Sequence, residues 1–452
     1  MTAQSSTAIV HQQPACAGLS CTVGAEDDKT RWMVTKATVR LVLIAAACIA
    51  SLTVMGQNSG AGEHWLGTWF APSVSRAVGS TAGNQSSLHF KNQTLRQIAH
   101  ISLGGARLRV VVSNAFGTAP LQIGSAQVAI RSQGPAIVAG SSRALLFGGQ
   151  SQPTIPPGAL LVSDPVDLAV AAFADLAVDL YLPDDTEASM SPLTLHPASW
   201  QTNYVSTPGN YAGVAMFPVE TTTAYRRTDG LASASTFFLT RIDVMAPATA
   251  GTIVALGDSL TDGTHSGIDD NNRWPDYLSR SLAKAGIGLG VVNAGIGGNR
   301  ILNDGTGPGA LARLDRDVLT QPGVTHVIVL EGINDIGQAR SNPSPSSADL
   351  IAAHRQIVER AHERGLKIYG ATLTPFEGAN YFTVEGEAKR QALNEWIRTA
   401  RAYDAVLDFD AAVRDPSHPE RLQVGFDPGD HLHLNAAGYE ALANTIDLKL
   451  FR

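Results

Sequence analysis

The chain has 452 residues, 44% apolar and 16% charged, which is enough for more than one hydrophobic core and unlike a disordered protein. A formal net charge of -7 gives no broad electrostatic reason to bind nucleic acid or an anionic bilayer, so a polyanionic partner is not expected. The three cysteines, Cys16, Cys21 and Cys48, all precede residue 60, which excludes a disulfide framework, a Cys-ligated zinc and a cysteine nucleophile from the remainder.

The amino-terminal segment reads as a leader. Residues 1–32 are polar and without periodicity, and Met33 is a candidate translation start. Lys36 and Arg40 precede an apolar run from Leu41 to Met55, followed by small and polar residues from Gly56 to Ala61. That run is shorter than the roughly 20 residues of a membrane span and suits the core of a signal peptide. Residues 1–61 are thus expected to be a poorly structured leader with a signal peptide over about residues 33–61. The mature protein is expected to be exported, secreted or periplasmic, without stable membrane insertion. An uncleaved signal anchor is the alternative. A lipid anchor at Cys48 fits less well, because Ala45 stands where a larger aliphatic residue is preferred.

Residues 62–246 show short alternating segments bounded by Gly, Pro, Asn and Asp, which predicts an all-β sandwich. Ala99, Ile101 and Leu103 alternate, Gly104-Gly105 offers a two-residue turn, and Leu108, Val110 and Val112 alternate again, so a hairpin is expected there. Leu176 to Leu182 and Phe237 to Val244 supply further strands. Trp65, Trp69 and Trp200 are expected in the core, with stacking on sugar rings as the alternative. The small residues from Ala246 to Gly251 mark a domain boundary, and residues 251–452 form the second domain.

Beyond that boundary, apolar β runs alternate with helical patterns. Strands are expected at Thr252 to Leu256, Gly290 to Asn293, His326 to Leu330, Leu366 to Ala371 and Ala405 to Phe409, hence a parallel α/β sheet. A helix starting at Ser346 or Ser347 and stopping near Gly365 turns Leu350, Ile351, His354, Ile357, Val358 and Ala361 inward, so His354 faces the core. A last helix starts after Asn435 and buries Tyr439, Leu442, Ala443 and Ile446.

Functional groups of a parallel sheet collect beyond the carboxyl ends of its strands. Here the ends carry Gly257-Asp258-Ser259-Leu260, then Asn293 to Asn299 with Gly295, Gly297 and Gly298, then Gly332-Ile333-Asn334-Asp335. Near the carboxyl terminus comes Asp430-His431-Leu432-His433-Leu434-Asn435. As a set these resemble the four sequence blocks of the GDSL/SGNH hydrolases over residues 252–450. The resemblance implies an SGNH-type, flavodoxin-like sheet with helices on both faces and a serine esterase activity. It assigns Ser259 as nucleophile, Asp430 and His433 as its triad partners, and Ser259, Gly298 and Asn334 as the oxyanion hole.

Each block has a chemical task. A serine hydroxyl needs a neighbouring base to take its proton, and imidazole has the right basicity near neutrality. An Asp-x-x-His spacing lets one short loop supply both the base and the carboxylate that fixes its tautomer. The oxyanion that forms needs preorganised donors. His431 and Asp427 compete for the triad roles. The family commonly has Pro after the catalytic His, where this chain has Leu434. His265 and His362 read as solvated surface residues.

Several alternatives remain at this point. An α/β-hydrolase elbow is disfavoured because Gly257-x-Ser259 lacks the second glycine. A metal-dependent phosphoesterase built on Asp258, Asp262, Asp335, Asp430 and His433 leaves Ser259, Gly298 and Asn334 unexplained. No cofactor or metal is expected: Gly295 to Gly298 does not have the dinucleotide-fingerprint spacing. The segment His64 to Phe116 resembles the amino-terminal region of a bacterial GDSL-type subset associated with carbohydrates, in which a jelly-roll-like domain precedes the SGNH domain. That resemblance implies a small-molecule or polysaccharide ester as substrate, with short-chain acyl or O-acetyl groups on carbohydrate favoured. A lipase or thioesterase of the same fold and a non-catalytic carbohydrate-binding surface protein are the alternatives.

Overall fold

The computed structural model describes residues 62–77, 89–222, 224–226, 232–338 and 344–452, so the expected leader and signal peptide lie outside the described residues. The described residues belong to one compact unit spanning Gly60–Arg452.

Its first half is antiparallel. Strands β1 (Glu63–Phe70), β2 (Gln93–His100), β3 (Gly105–Ser113), β4 (Ser125–Ile130), β5 (Val166–Val170), β6 (Asp175–Leu182), β7 (Leu193–His196), β8 (Tyr204–Ser206) and β9 (Leu239–Pro247) build most of it. One sheet runs in the order β1-β9-β3-β5, and a second contains β8-β2-β6-β4. In the second, Leu95 opposes Leu180 and Ala99 opposes Leu176, so their apolar side chains share a face. That face meets Leu108, Val110, Val112, Ile242 and Val244 from the first sheet in one buried cluster, which makes the pair a sandwich.

The expected hairpin at Gly104-Gly105 is not there. β2 pairs with β6 and β8, whereas β3 pairs with β9 and β5, so these consecutive strands lie in different sheets. Both face the same core from opposite sides, which gives them the alternation a hairpin would also have. Gly104 serves a crossing between sheets: a Cβ there would come within 2.4 Å of the Val170 carbonyl oxygen.

The second half is the parallel α/β layer. Strands β10 (Gly251–Gly257), β11 (Leu289–Gly295), β12 (Val324–Leu330), β13 (Lys367–Ala371) and β14 (Ala405–Leu407) form one sheet ordered β11-β10-β12-β13-β14. All of its pairings are parallel. Ile253, Val254, Ala255 and Leu256 of β10 are fully buried, as a central strand covered on both faces requires. The chain order reverses at β10, where β11 lies to one side and β12 to the other, so the crevice beyond the carboxyl end of β10 is the topological switch point.

The helices follow their sequence signals. Helix α5 (Ser347–His362) has Ser346 as N-cap with a reciprocal bond to Asp349 and buries Leu350, His354, Ile357, Val358 and Ala361, while Ile351, expected in the same stripe, is only half-buried at its edge. Helix α7 (Ala436–Asn444) starts where Asn435 caps the Gly438 N–H. Between them in the chain lies α6 (Val384–Thr399), and before them α1 (Ser259–Asp262), α2 (Trp274–Lys284), α3 (Ala310–Leu314) and α4 (Ile333–Gly337). None of the helices among the described residues is long and apolar enough to cross a membrane.

The two halves join along β11. The Val291 N–H donates to Ser102 Oγ at 2.9 Å, the Gly67 N–H to the Pro322 carbonyl at 3.0 Å, and Thr252 Oγ1 to the Gly67 carbonyl at 3.1 Å. A Cβ on Gly290 would sit 2.8 Å from the Gly67 oxygen, so this closeness requires glycine.

Candidate active site

The site grows from the end of β10. Gly257 closes the strand where a Cβ would lie 2.1 Å from Thr261 Oγ1 and 2.7 Å from the Leu330 oxygen, so the chain turns directly into α1 only because there is no side chain. Asp258 caps α1, its Oδ1 accepting from the Leu260 N–H at 2.9 Å. This puts Ser259 at the first position of the helix, 7% exposed.

His433 arrives from the loop before α7. Its Nε2 lies 2.8 Å from Ser259 Oγ, and its Nδ1 lies 2.6 Å from Asp430 Oδ2. Asp430 Oδ1 accepts from the Leu432 and His433 N–H groups at 3.1 and 2.9 Å, so the Asp-x-x-His loop closes on its own carboxylate. Leu434, fully buried where the family commonly has Pro, anchors the loop. Asp427 and His431, the competing pair, bond to each other, His431 Nδ1 standing 2.5 Å from Asp427 Oδ2.

His265 departs from expectation. Instead of standing in solvent, its side chain is 19% exposed and its Nε2 lies 3.2 Å from Asp430 Oδ2. Its φ of 69° is left-handed, and the loop is fixed by the Tyr439 hydroxyl donating to the Thr264 carbonyl at 2.7 Å. Burial works against ionisation of Asp430, but hydrogen bonds from His265 and His433 overcome it and hold the carboxyl well below its ordinary value. His362 is 41% exposed and pairs with Asp404.

The other blocks converge beside Ser259. The Ile296 N–H donates to the Gly257 carbonyl at 3.0 Å, and Gly298 takes a φ of 76° that favours glycine. Asn334, buried at the start of α4, donates from Nδ2 to the Asn299 carbonyl at 3.0 Å, while its Oδ1 accepts from Gln338. Asp335 holds the same loop through the Ile301 and Leu302 N–H groups at 2.8 and 3.1 Å.

Beneath these loops lies Arg313 at the end of α3, wholly buried. It donates to the carbonyls of Ala294 at 2.7 Å and Gly257 at 3.0 Å and to Asn299 Oδ1 at 2.9 Å, tying the ends of β10 and β11 together. Near it, burial and mutual repulsion raise two carboxyls, those of Asp258 and Glu331. Burial, the Asp335 charge and the Asp262 charge push Asp258 up to about 7, and burial with the Asp258 charge lifts Glu331 well above its ordinary value.

Residues 255–441 match the family model described as the GDSL-like Lipase/Acylhydrolase family. This part of the chain is a GDSL-like lipase/acylhydrolase domain. Solved structures similar to the GDSL-like domain include the acetyl xylan esterase AlAXEase, 18% identical over 43% of this chain and 96% of that one, with a TM-score of 0.34. A variant of Axe2, an acetyl xylan esterase from Geobacillus stearothermophilus, is 22% identical over 44% and 94%, with a TM-score of 0.34. A GDSL-like lipase from Bacteroides thetaiotaomicron is 18% identical over 44% and 87%, with a TM-score of 0.33. No curated protein matches the chain.

Among the described residues of the GDSL-like domain, His265, Asp430 and His433 have metal-ligand character, their ligand atoms lying within 4.8 Å of one another. Asp258, Asp262 and Asp335 are engaged separately, with Leu260, with His196 and Gly297, and with Ile301 and Leu302. Of the three tryptophans expected in the core, Trp200 is buried, whereas Trp69 is half-buried against the sandwich core and Trp65 half-buried under the Arg109 guanidinium at 4.5 Å. Sequence reading missed His265, His196 and Arg313. Only His265 carried a signal, standing six residues after Ser259 in the polar run Thr261 to Ser266.

Proposed function

We propose that the GDSL-like domain is a serine esterase that hydrolyses carboxylic esters through an acyl-enzyme. The observation that supports this most is the continuous line Ser259 Oγ, His433 Nε2, His433 Nδ1, Asp430 Oδ2, with gaps of 2.8 and 2.6 Å. In this reading Ser259 Oγ attacks the acyl carbon as its proton passes to His433 Nε2, and Asp430 holds the imidazole in the tautomer whose Nε2 is free to accept. The Ser259 and Gly298 N–H groups and Asn334 Nδ2 serve as donors to the oxyanion. The C–O bond to the alcohol breaks as the alcohol takes the proton from His433. Water then repeats the sequence on the acyl-Ser259 ester, releasing the acid and restoring the serine hydroxyl.

For substrate we favour short acyl or O-acetyl esters on carbohydrate, a reading supported by the resemblance of His64 to Phe116 to carbohydrate-associated GDSL proteins. Export by a signal peptide over about residues 33–61 belongs to the same proposal. A fluorophosphonate probe should label Ser259, and the protein should hydrolyse acetyl and butyryl aryl esters and acetylated xylan faster than long-chain esters. Absence of labelling in folded protein refutes the esterase, and preference for long chains refutes the sugar-acetyl assignment.

A further inference from the structure

Besides the apolar contact in which Ile296 of the glycine loop packs into the β half's core, the β half reaches the site through the segment His196 to Thr202. His196 ends β7 and is 4% exposed. Its Nδ1 donates to the Pro72 carbonyl at 2.9 Å, and its Nε2 lies 3.0 Å from Asp262 Oδ1. Asp262 is the last residue of α1, three positions after Ser259, and its Oδ2 accepts from the Gly297 N–H at 3.1 Å. An unbroken chain of bonds thus runs from the backbone of the β half through His196 and Asp262 into the glycine loop that carries Gly298.

Four to six residues further on, the same segment grips the loop that carries His265. The Asp269 N–H donates to the Trp200 carbonyl at 3.0 Å, and Asp269 Oδ1 accepts from Gln201 Nε2 at 2.5 Å and the Thr202 N–H at 2.7 Å. Asp269 Oδ2 accepts from Thr202 Oγ1 at 2.7 Å. Trp200 has a φ of 51°, a left-handed value that a bulky non-glycine residue holds only when its surroundings impose it, and Asp269 opposite it has a φ of 67°.

From these contacts we infer that His196 to Thr202 is a brace for the catalytic loops, and that His196 and Asp262 are positioning residues of the reaction; this rests on the serine-esterase reading above. Gly295, Gly297 and Gly298 have no side chains with which to fix their own loop, and oxyanion donors lose their effect when displaced by about half an ångström to an ångström. The Ile296 N–H bond to Gly257 and the burial of Ile296 anchor one part of the loop, Asp262 holds the Gly297 N–H beside Gly298, and His196 fixes Asp262. Simple cohesion between the halves would be served by apolar contacts, which avoid the desolvation of a buried imidazole and carboxylate.

The test compares wild type, His196→Ala, His196→Gln, Asp262→Ala and the His196→Ala/Asp262→Ala double variant by hydrogen exchange and by steady-state kinetics on a short-chain aryl ester. In His196→Ala, exchange across residues 295–299 should quicken about tenfold, and kcat should fall about 10- to 100-fold, with KM within about threefold of wild type. Fluorophosphonate labelling should be slower yet complete, which separates misplaced donors from unfolded protein. His196→Gln, which keeps one donor, should recover part of kcat and carries the test if the alanine variant does not fold. The double variant should be no slower than Asp262→Ala alone, because both changes cut the same chain of bonds. Unchanged exchange at 295–299 overturns the brace whether or not the protein is active. Quickened exchange with wild-type kcat overturns its service to catalysis. If wild type neither labels nor hydrolyses any ester, the esterase proposal fails and the exchange result alone decides the brace.

Discussion

Replacing Asp258 with asparagine should change how stability depends on pH. The side chain is fully buried, Oδ1 caps Leu260, and Oδ2 has no protein partner among the described residues. Burial together with the Asp335 and Asp262 charges raises the carboxyl from 3.8 to about 7 in the folded chain. A folded-state value above the unfolded one means that the stabilisation is complete below about 3.8 and is lost as pH rises toward 7, since the native state must then ionise an unsolvated carboxyl. Three pH units at ~1.4 kcal/mol each come to about 4 kcal/mol. Part of that repulsion belongs to Asp335 and Asp262, so ~2–4 kcal/mol is the expected share of Asp258. Asparagine keeps the cap acceptor and cannot ionise, but it leaves an unpaired N–H₂ costing ~1–3 kcal/mol at every pH. Urea denaturation followed by tryptophan fluorescence at pH 4, 6 and 8 should show wild type the more stable at pH 4. The difference should move toward the variant by ~2–4 kcal/mol by pH 8. Parallel stability curves for the two proteins would refute the reasoning.

Ser259→Ala should abolish fluorophosphonate labelling and reduce ester hydrolysis to background while the melting temperature stays near that of wild type; residual labelling would point to another nucleophile. Asn334→Ala should lower kcat by roughly 100- to 1000-fold with KM little changed, measured by steady-state kinetics. Because Asp430 is held well below its ordinary value by His265 and His433, it stays ionised through the mildly acidic range, so Asp430→Asn should cut kcat at every pH from 5 to 9 instead of merely shifting the acid limb. Arg313→Met would remove a buried donor from the Ala294 carbonyl and Asn299 Oδ1 and the counter-charge of the buried Asp317 and Glu331, and should destabilise the fold by ~3–5 kcal/mol in denaturation experiments.

What the sequence revealed followed from local rules. The buried runs of β10 and β12, the capped starts of α5 and α7, and the polar residues at the strand ends are all set by patterns a few residues long. The Asp430-x-x-His433 loop is of that kind too, since its closing bonds to Leu432 and His433 are internal to it. What stayed hidden depends on chain segments that meet only on folding. Alternation in β2 and β3 says that both face a core but not that they lie in different sheets. His196 sits in an ordinary strand, and its meaning arises solely from Asp262, 66 positions later. Arg313 looks like any helical arginine until the strand ends close over it.

The contact along β11 has a practical consequence for anyone cutting this protein. In the parallel sheet β11 is a border strand with β10 on one side, and on the other the Val291 N–H is answered by Ser102. Expressing residues 251–452 alone would strip that cover and bare an apolar border with open backbone donors, the kind of rim along which separate chains stack into aggregates. The β half thus covers a border that would otherwise be open to self-association, and a soluble fragment of the GDSL-like domain will need either β1 with the Ser102 loop retained or a charged residue installed on β11.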